Sequence, residues 1–173
     1  EYVEENKVEV IFPGHIKGQV INAMKNAHPY EEVAYYLTEI ENTNQEVGSG
    51  MIGTLQQEMD EQEFLKHLKE SMELDSIKFT PLAKGKIKKI AVCGGAGSFL
   101  LNAAKGAGAD AFITSDFKYH EFFDAEEKIM IADIGHYESE VFTKELLSEF
   151  IRENFANIAT YLSEVNTNPV KYF

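Results

Sequence analysis

Basic residues are scarce in this chain. Sixteen Lys and Arg stand against 29 Asp and Glu, so 173 residues carry a formal charge of −13. A nucleic-acid backbone is held by clustered cations, so that balance counts against it as a partner. An anionic substrate would need a metal ion or backbone amides to hold its charge. Cysteine is nearly absent: Cys93 stands alone, which excludes an intrachain disulfide and fits a reducing compartment. No apolar run approaches the roughly 18 residues that would suggest a membrane span. The opening "EYVEENKVEV" has no basic segment leading into an apolar one, so no signal peptide is visible. The expectation is an acidic, soluble protein of the cytoplasm. There is no initiator Met, and a strand is under way within ten residues, so the sequence reads as a piece of a longer chain.

What is present is enough for a core, since hydrophobic residues make up 44% of the sequence. Residues 7–12 read as a strand stopped by Pro13-Gly14. Val20, Ile21, Met24 and Ala27 trace one face of a helix. His28-Pro29 ends that helix, because the residue before proline avoids the α region. Residues 32–40 then read as a second strand, completing a β-α-β unit too small to bury a core alone. Tyr30, Tyr35 and Tyr36 in it suit an interface or core strand better than a stacking platform. His28 has no second ligand nearby and reads as part of the helix stop before a half-exposed strand, while His15 and His67 read as solvent-facing.

"NTNQEVGSG" (residues 42–50) is turn-rich and marks a domain boundary. Beyond it, strands and helices alternate: "GMIGTL", "IKFTPL", "KIAVCGG", "DAFITSD", "IMIADIG" and "ATYLSEV" as strands. The helices are "DEQEFLKHLKESMEL", "SFLLNAAKGAGA", "YHEFFDAEEK" and a long "YESEVFTKELLSEFIRENF". Such alternation predicts an α/β layered domain.

Ligands of such folds gather beyond the carboxyl ends of the strands, and three ends carry unusual residues. "CGGAGS" follows "KKIAV" and opens a helix. Gly94 and Gly95 permit either a tight turn or close approach to an anion. The dinucleotide spacing fails, because Leu100 stands where the third glycine belongs, and there is no P-loop lysine. Cys93 reads as a buried strand-end residue, or as a thiol made reactive by the helix start. In "TSDFKYHEFFD", Asp116 stands at a strand tip and His120 early in the next helix. Asp116 is either a helix cap or a functional carboxylate, and His120 either a surface residue or a functional imidazole. In "DIGHYESE", His136 and Glu140 are one turn apart on one helix face. They are half of a metal site, or a helix start whose carboxylates (Glu138, Glu140) favour the dipole.

Several stretches together carry a family likeness. "HPYEEVAYYL", "GSGMIGTL", "AVCGGAGSFL", "GADAFITSDFKYHEFFDA", "DIGHYESE" and "EVNTNPVKYF" resemble the NIF-three-like family, often labelled GTP cyclohydrolase type 2 homologues. The resemblance runs over nearly the whole chain from Lys7. It implies an α/β fold with a dinuclear divalent metal site between two similar halves, assembled into a toroidal homohexamer. Some members insert a ferredoxin-like, PII-like domain between the halves. Residues 1–45 then correspond to the end of that insert, and residues 46–173 to the second half of the metal domain. His136 and Glu140 match the family's His-x-x-x-Glu ligands, with Glu140 expected to bridge two ions. The family's paired histidines and aspartate from the first half have no counterpart, since no His-His pair occurs here. The full-length chain is expected to hold two divalent ions (Zn, Mn or Fe), with only part of the ligand set in this stretch. By the same resemblance Gly94, Gly95, Asp116 and His120 line the cleft near the metals, facing the substrate or standing behind the ligands. As an imidazole, His120 is the candidate catalytic residue to give or take a proton there.

The implied function is a metal-dependent hydrolase of a small-molecule substrate, of the cyclohydrolase or nucleotide-hydrolysing kind. The alternative is a non-enzymatic hexameric metal-binding or regulatory protein whose insert senses a ligand or partner.

Overall fold

The structure is a computed structural model that describes residues 2, 4–41, 47–81 and 85–173. It divides into two compact units, Glu1–Thr43 and Asn44–Phe173. The expected boundary between 45 and 46 lies outside the described residues.

In the first unit a short 3-10 turn, Gly14–Ile16, leads into helix α1, Lys17–Ala27. His28 ends α1 in extended backbone, as Pro29 requires, and its ring nitrogen accepts from the Tyr30 amide at 3.1 Å. The two expected flanking strands do not form: residues 7–12 and 32–40 join no ladder among the described residues. A strand is stable only in a ladder with a neighbour, and among the described residues of this unit none is paired. Tyr30 and Tyr36 are correspondingly exposed.

The second unit is a five-stranded mixed sheet in the order β1-β3-β4-β5-β2. Its strands are β1 Met51–Met59, β2 Lys78–Phe79, β3 Ile87–Ala96, β4 Ala111–Ser115 and β5 Met130–Asp133. The central β3, β4 and β5 are parallel, while β1 and β2 run antiparallel at the edges. In β4 and β5 every residue is buried, because both faces are covered. Phe112 and Ile131 point into one core layer with helix α3 (Leu101–Gly106), Phe117 and Ala125. Ile113 and Met130 point into the other, against Phe64 and Leu68 of helix α2, Glu61–Ser71.

Two helices depart from expectation. "YHEFFDAEEK" is a 3-10 segment, Tyr119–Ala125, stopped by Glu126 in left-handed backbone at φ +51°. The long final helix is split into α4, His136–Glu140, and α5, Thr143–Asn154. α4 is tied down to the sheet by side chains described below, and α5 takes its own course. The predicted strand at 159–165 also fails to pair among the described residues. Among the described residues no helix is long and apolar enough to cross a membrane.

Candidate functional site

The parallel strands β3, β4 and β5 end side by side, and the three unusual sequence stretches lie at those ends. β3 loses register with β4 between Val92 and Ala96, at the two glycines. Gly95 takes φ +64°, open to glycine at little cost. The peptide freed by this irregularity is satisfied across the chain: the Gly95 N–H donates to Ser139 Oγ at 2.8 Å, and Thr114 Oγ1 donates to the Gly95 carbonyl at 3.0 Å. The Ser139 hydroxyl in turn donates to the His136 carbonyl at 2.8 Å. Ser139 thereby pins α4 against β3. Spacing did not single it out, because its partner lies 44 positions away.

His136 and Glu140 share the face of α4 that meets this glycine. A Cβ at Gly95 would stand 2.5 Å from Glu140 Oε1 and 3.2 Å from His136 Nε2, so any side chain there would displace the Glu140 carboxylate. Gly94 is roomier, 3.6 Å from the Glu140 stem by the same measure. Asp116, at the tip of β4, holds φ +59°, rare for any residue with a side chain. Its carboxylate lies 2.7 Å from His136 Nδ1, while His136 Nε2 is 3.3 Å from Glu140 Oε2. The Asp116 hydrogen bond holds His136 above the ordinary imidazole range against the opposing effect of burial, with Glu140 adding to the rise. With Asp116 accepting the Nδ1 proton, the neutral ring presents its Nε2 lone pair towards Glu140.

His136, Glu140, Asp116, Gly94 and Gly95 are thus brought together. His120 is exposed on the 3-10 segment and does not line the cavity of 660 Å³ that His136, Glu140 and Asp116 border. Cys93 is buried, its thiol 3.2 Å from the Ser49 carbonyl. Three residues that spacing did not mark also line the cavity: Lys78, Asn168 and Tyr172.

The sequence pattern of the Duf34/NIF3 (NGG1p interacting factor 3) family matches residues 15–169. The chain belongs to that family. It is 36% identical over 177 residues to the GTP cyclohydrolase 1 type 2 homologue of Bacillus subtilis, covering 99% of this chain and 47% of that protein. The Staphylococcus epidermidis protein of the same name is 35% identical, with 99% and 48% covered. The chain therefore spans about half the length of these curated relatives. Among solved structures, a Bacillus cereus protein related to NIF3 superposes with TM-score 0.70 at 34% identity, over 94% of this chain and 46% of that one. A Staphylococcus aureus protein superposes with TM-score 0.75 at 30% identity, over 96% and 55%. The α/β fold is that of NIF3-related proteins.

Whether a divalent ion suits these residues is a matter of kind and number. In kind they fit: an imidazole whose far nitrogen is fixed by a carboxylate, and a second carboxylate one turn on. In number they fall short of a site by themselves: among the described residues no group of three or more His, Cys, Asp and Glu is placed to hold a metal.

Proposed function

We propose that this chain contributes one half of a dinuclear divalent-metal centre in a small-molecule hydrolase of the GTP cyclohydrolase type. The observation that carries the reading is His136 and Glu140 converging beside Gly95, with Asp116 behind the imidazole. His136 Nε2 and the Glu140 carboxylate would hold the metal, and the remaining ligands would come from residues beyond this stretch. A bound pair of such ions supplies an activated water and charge stabilisation. Within the chain, Asp116 keeps the imidazole in one tautomer, and Gly95 leaves room for the ligands to reach past the backbone. The relatives' shared name supports the reaction class. Nucleotides and cyclic amides are the substrates to try first, and a toroidal homohexamer is the proposed assembly.

One observation favours a second reading, a metal-binding or regulatory protein without turnover. His120, the expected proton carrier, stands outside the cavity lining. Metal analysis of the full-length protein decides the first point: about two ions per chain are expected, and Glu140→Ala should lose most of them. Full metal content in that variant would overturn the ligand assignment. Turnover of a nucleotide or cyclic amide, reduced in His120→Ala, would support the hydrolase. Metal without turnover would leave the binding protein.

A further inference from the structure

α4 is only five residues long, and its two faces are held by different parts of the chain. The face of His136, Ser139 and Glu140 meets the Gly95 bend. Glu138, two positions on from His136, projects away from that face, as helical geometry requires. It meets the C-terminal residues instead. Glu138 Oε1 accepts from Asn168 Nδ2 at 2.8 Å. Glu138 Oε2 lies over Gly135, where a Cβ would begin, and the Tyr172 hydroxyl is 3.2 Å from the same point. Gly135 takes φ +92°, so the turn into α4 is available to glycine and is roofed by these two groups.

Asn168 is preset for this contact. Its backbone N–H donates to Asn166 Oδ1 at 2.8 Å, and its own Oδ1 accepts from the Val170 N–H at 3.0 Å. Lys171 Nζ donates to its carbonyl at 3.2 Å. Pro169 fixes the next φ. The side-chain NH2 is the group left to reach outward, and it reaches Glu138. The cavity that His136 and Glu140 border is also lined by Asn168, Val170 and Tyr172.

We propose that residues 166–173 are a positioning element for the metal ligands, Asn168 and Tyr172 gripping Glu138 so that the first turn of α4 is pressed against Gly95. Glu138, the one carboxylate of α4 that faces away from Gly95, is then an anchor and no ligand. This rests on His136 and Glu140 being the ligands, and its test separates the two ideas.

Asn168→Ala, Glu138→Ala, the double variant and Glu138→Gln are compared in the intact protein by two readouts. The first needs no metal: amide exchange at Ser139, whose N–H bonds the Gly135 carbonyl at 3.1 Å, with Ile113 in β4 as control. Loss of the grip should speed exchange at Ser139 about tenfold and leave Ile113 unchanged. The second is Co(II) affinity, followed by absorption. Each single alanine variant should weaken it about tenfold, the double variant should be no weaker than the worse single, and Glu138→Gln, still an acceptor for Asn168, should stay near the parent. Ser139 exchange that stays at the parent rate in both alanine variants overturns the proposal, as do additive losses of affinity. If instead the parent binds Co(II) unchanged after Glu140→Ala, the ligand assignment fails, while the exchange readout still judges the grip.

Discussion

At the end of β5 one buried carboxylate holds three donors. Asp133 Oδ1 accepts from the Gly135 N–H at 3.2 Å, and Oδ2 accepts from the Phe117 N–H at 3.2 Å and from Lys78 Nζ at 2.8 Å. Asp133 is 2% exposed, and of its donors the buried Phe117 N–H has least recourse to water when it is removed, while the exposed Lys78 can turn to solvent. Asp133→Ala should cost roughly 3 kcal/mol in unfolding free energy, since hydrogen bonds to a charged acceptor are worth about 1.5–3 kcal/mol each. Urea melts measure it; a cost below about 1 kcal/mol would show that the bonds reorganise. Tyr172 gives a pH prediction. Burial first, and then the neighbouring Glu138, hold its phenol above the ordinary 10.0. A raised acid keeps its proton more tightly folded than unfolded, so its contribution is fully present below pH 10 and is lost as pH rises through the folded value. Ultraviolet titration should find one of the eight tyrosines ionising late, and that late step should vanish in Tyr172→Phe.

Among the helices, α2 shows a start written locally. Asp60 Oδ1 accepts from the Glu63 N–H at 2.9 Å, and Glu63 Oε2 accepts from the Asp60 N–H at 3.1 Å, a reciprocal capping box. Asp60→Ala should lower stability by about 1 kcal/mol, seen as a lower urea midpoint, with metal binding untouched. α4 and α5 are the opposite case. The apolar and charged periodicity from Tyr137 to Phe155 is continuous and reads as one helix. Ser139 and His136 bind its first turn to β3 and β4, however, and that restraint lies outside the window in which periodicity is visible. The strands expected at 7–12, 32–40 and 159–165 fail for a related reason. Alternating apolar residues make a segment fit for a sheet, but a ladder also needs a partner strand, which the segment's own pattern does not specify.

For the molecule as a whole, the exposed apolar residues are too concentrated to be idle. Leu146, Leu147 and Phe150 of α5 are exposed at 66%, 55% and 59%, and Tyr161 and Leu162 follow them. Exposed apolar side chains gathered on one helix suit an association surface, and the proposed hexamer predicts that α5 contributes to it. Light scattering should give a mass well above the 19.5 kDa of one chain, and Leu146→Glu with Phe150→Glu should lower it. An unchanged mass would place the contacts elsewhere.

The sequence by itself determined the alternation that builds the α/β unit, because each apolar period depends only on neighbours. It also determined the spacing of His136 and Glu140, since one helical turn is a local distance. Only the tertiary structure decided that Asp116 belongs to His136 and that His120 stands apart, because the parallel order of β3, β4 and β5 chooses which strand ends meet. The bend at Gly95, the tie from Ser139 and the hold of Asn168 on Glu138 belong to the same class. Each joins residues 19 or more positions apart, a separation at which no local propensity acts and only packing selects the partner.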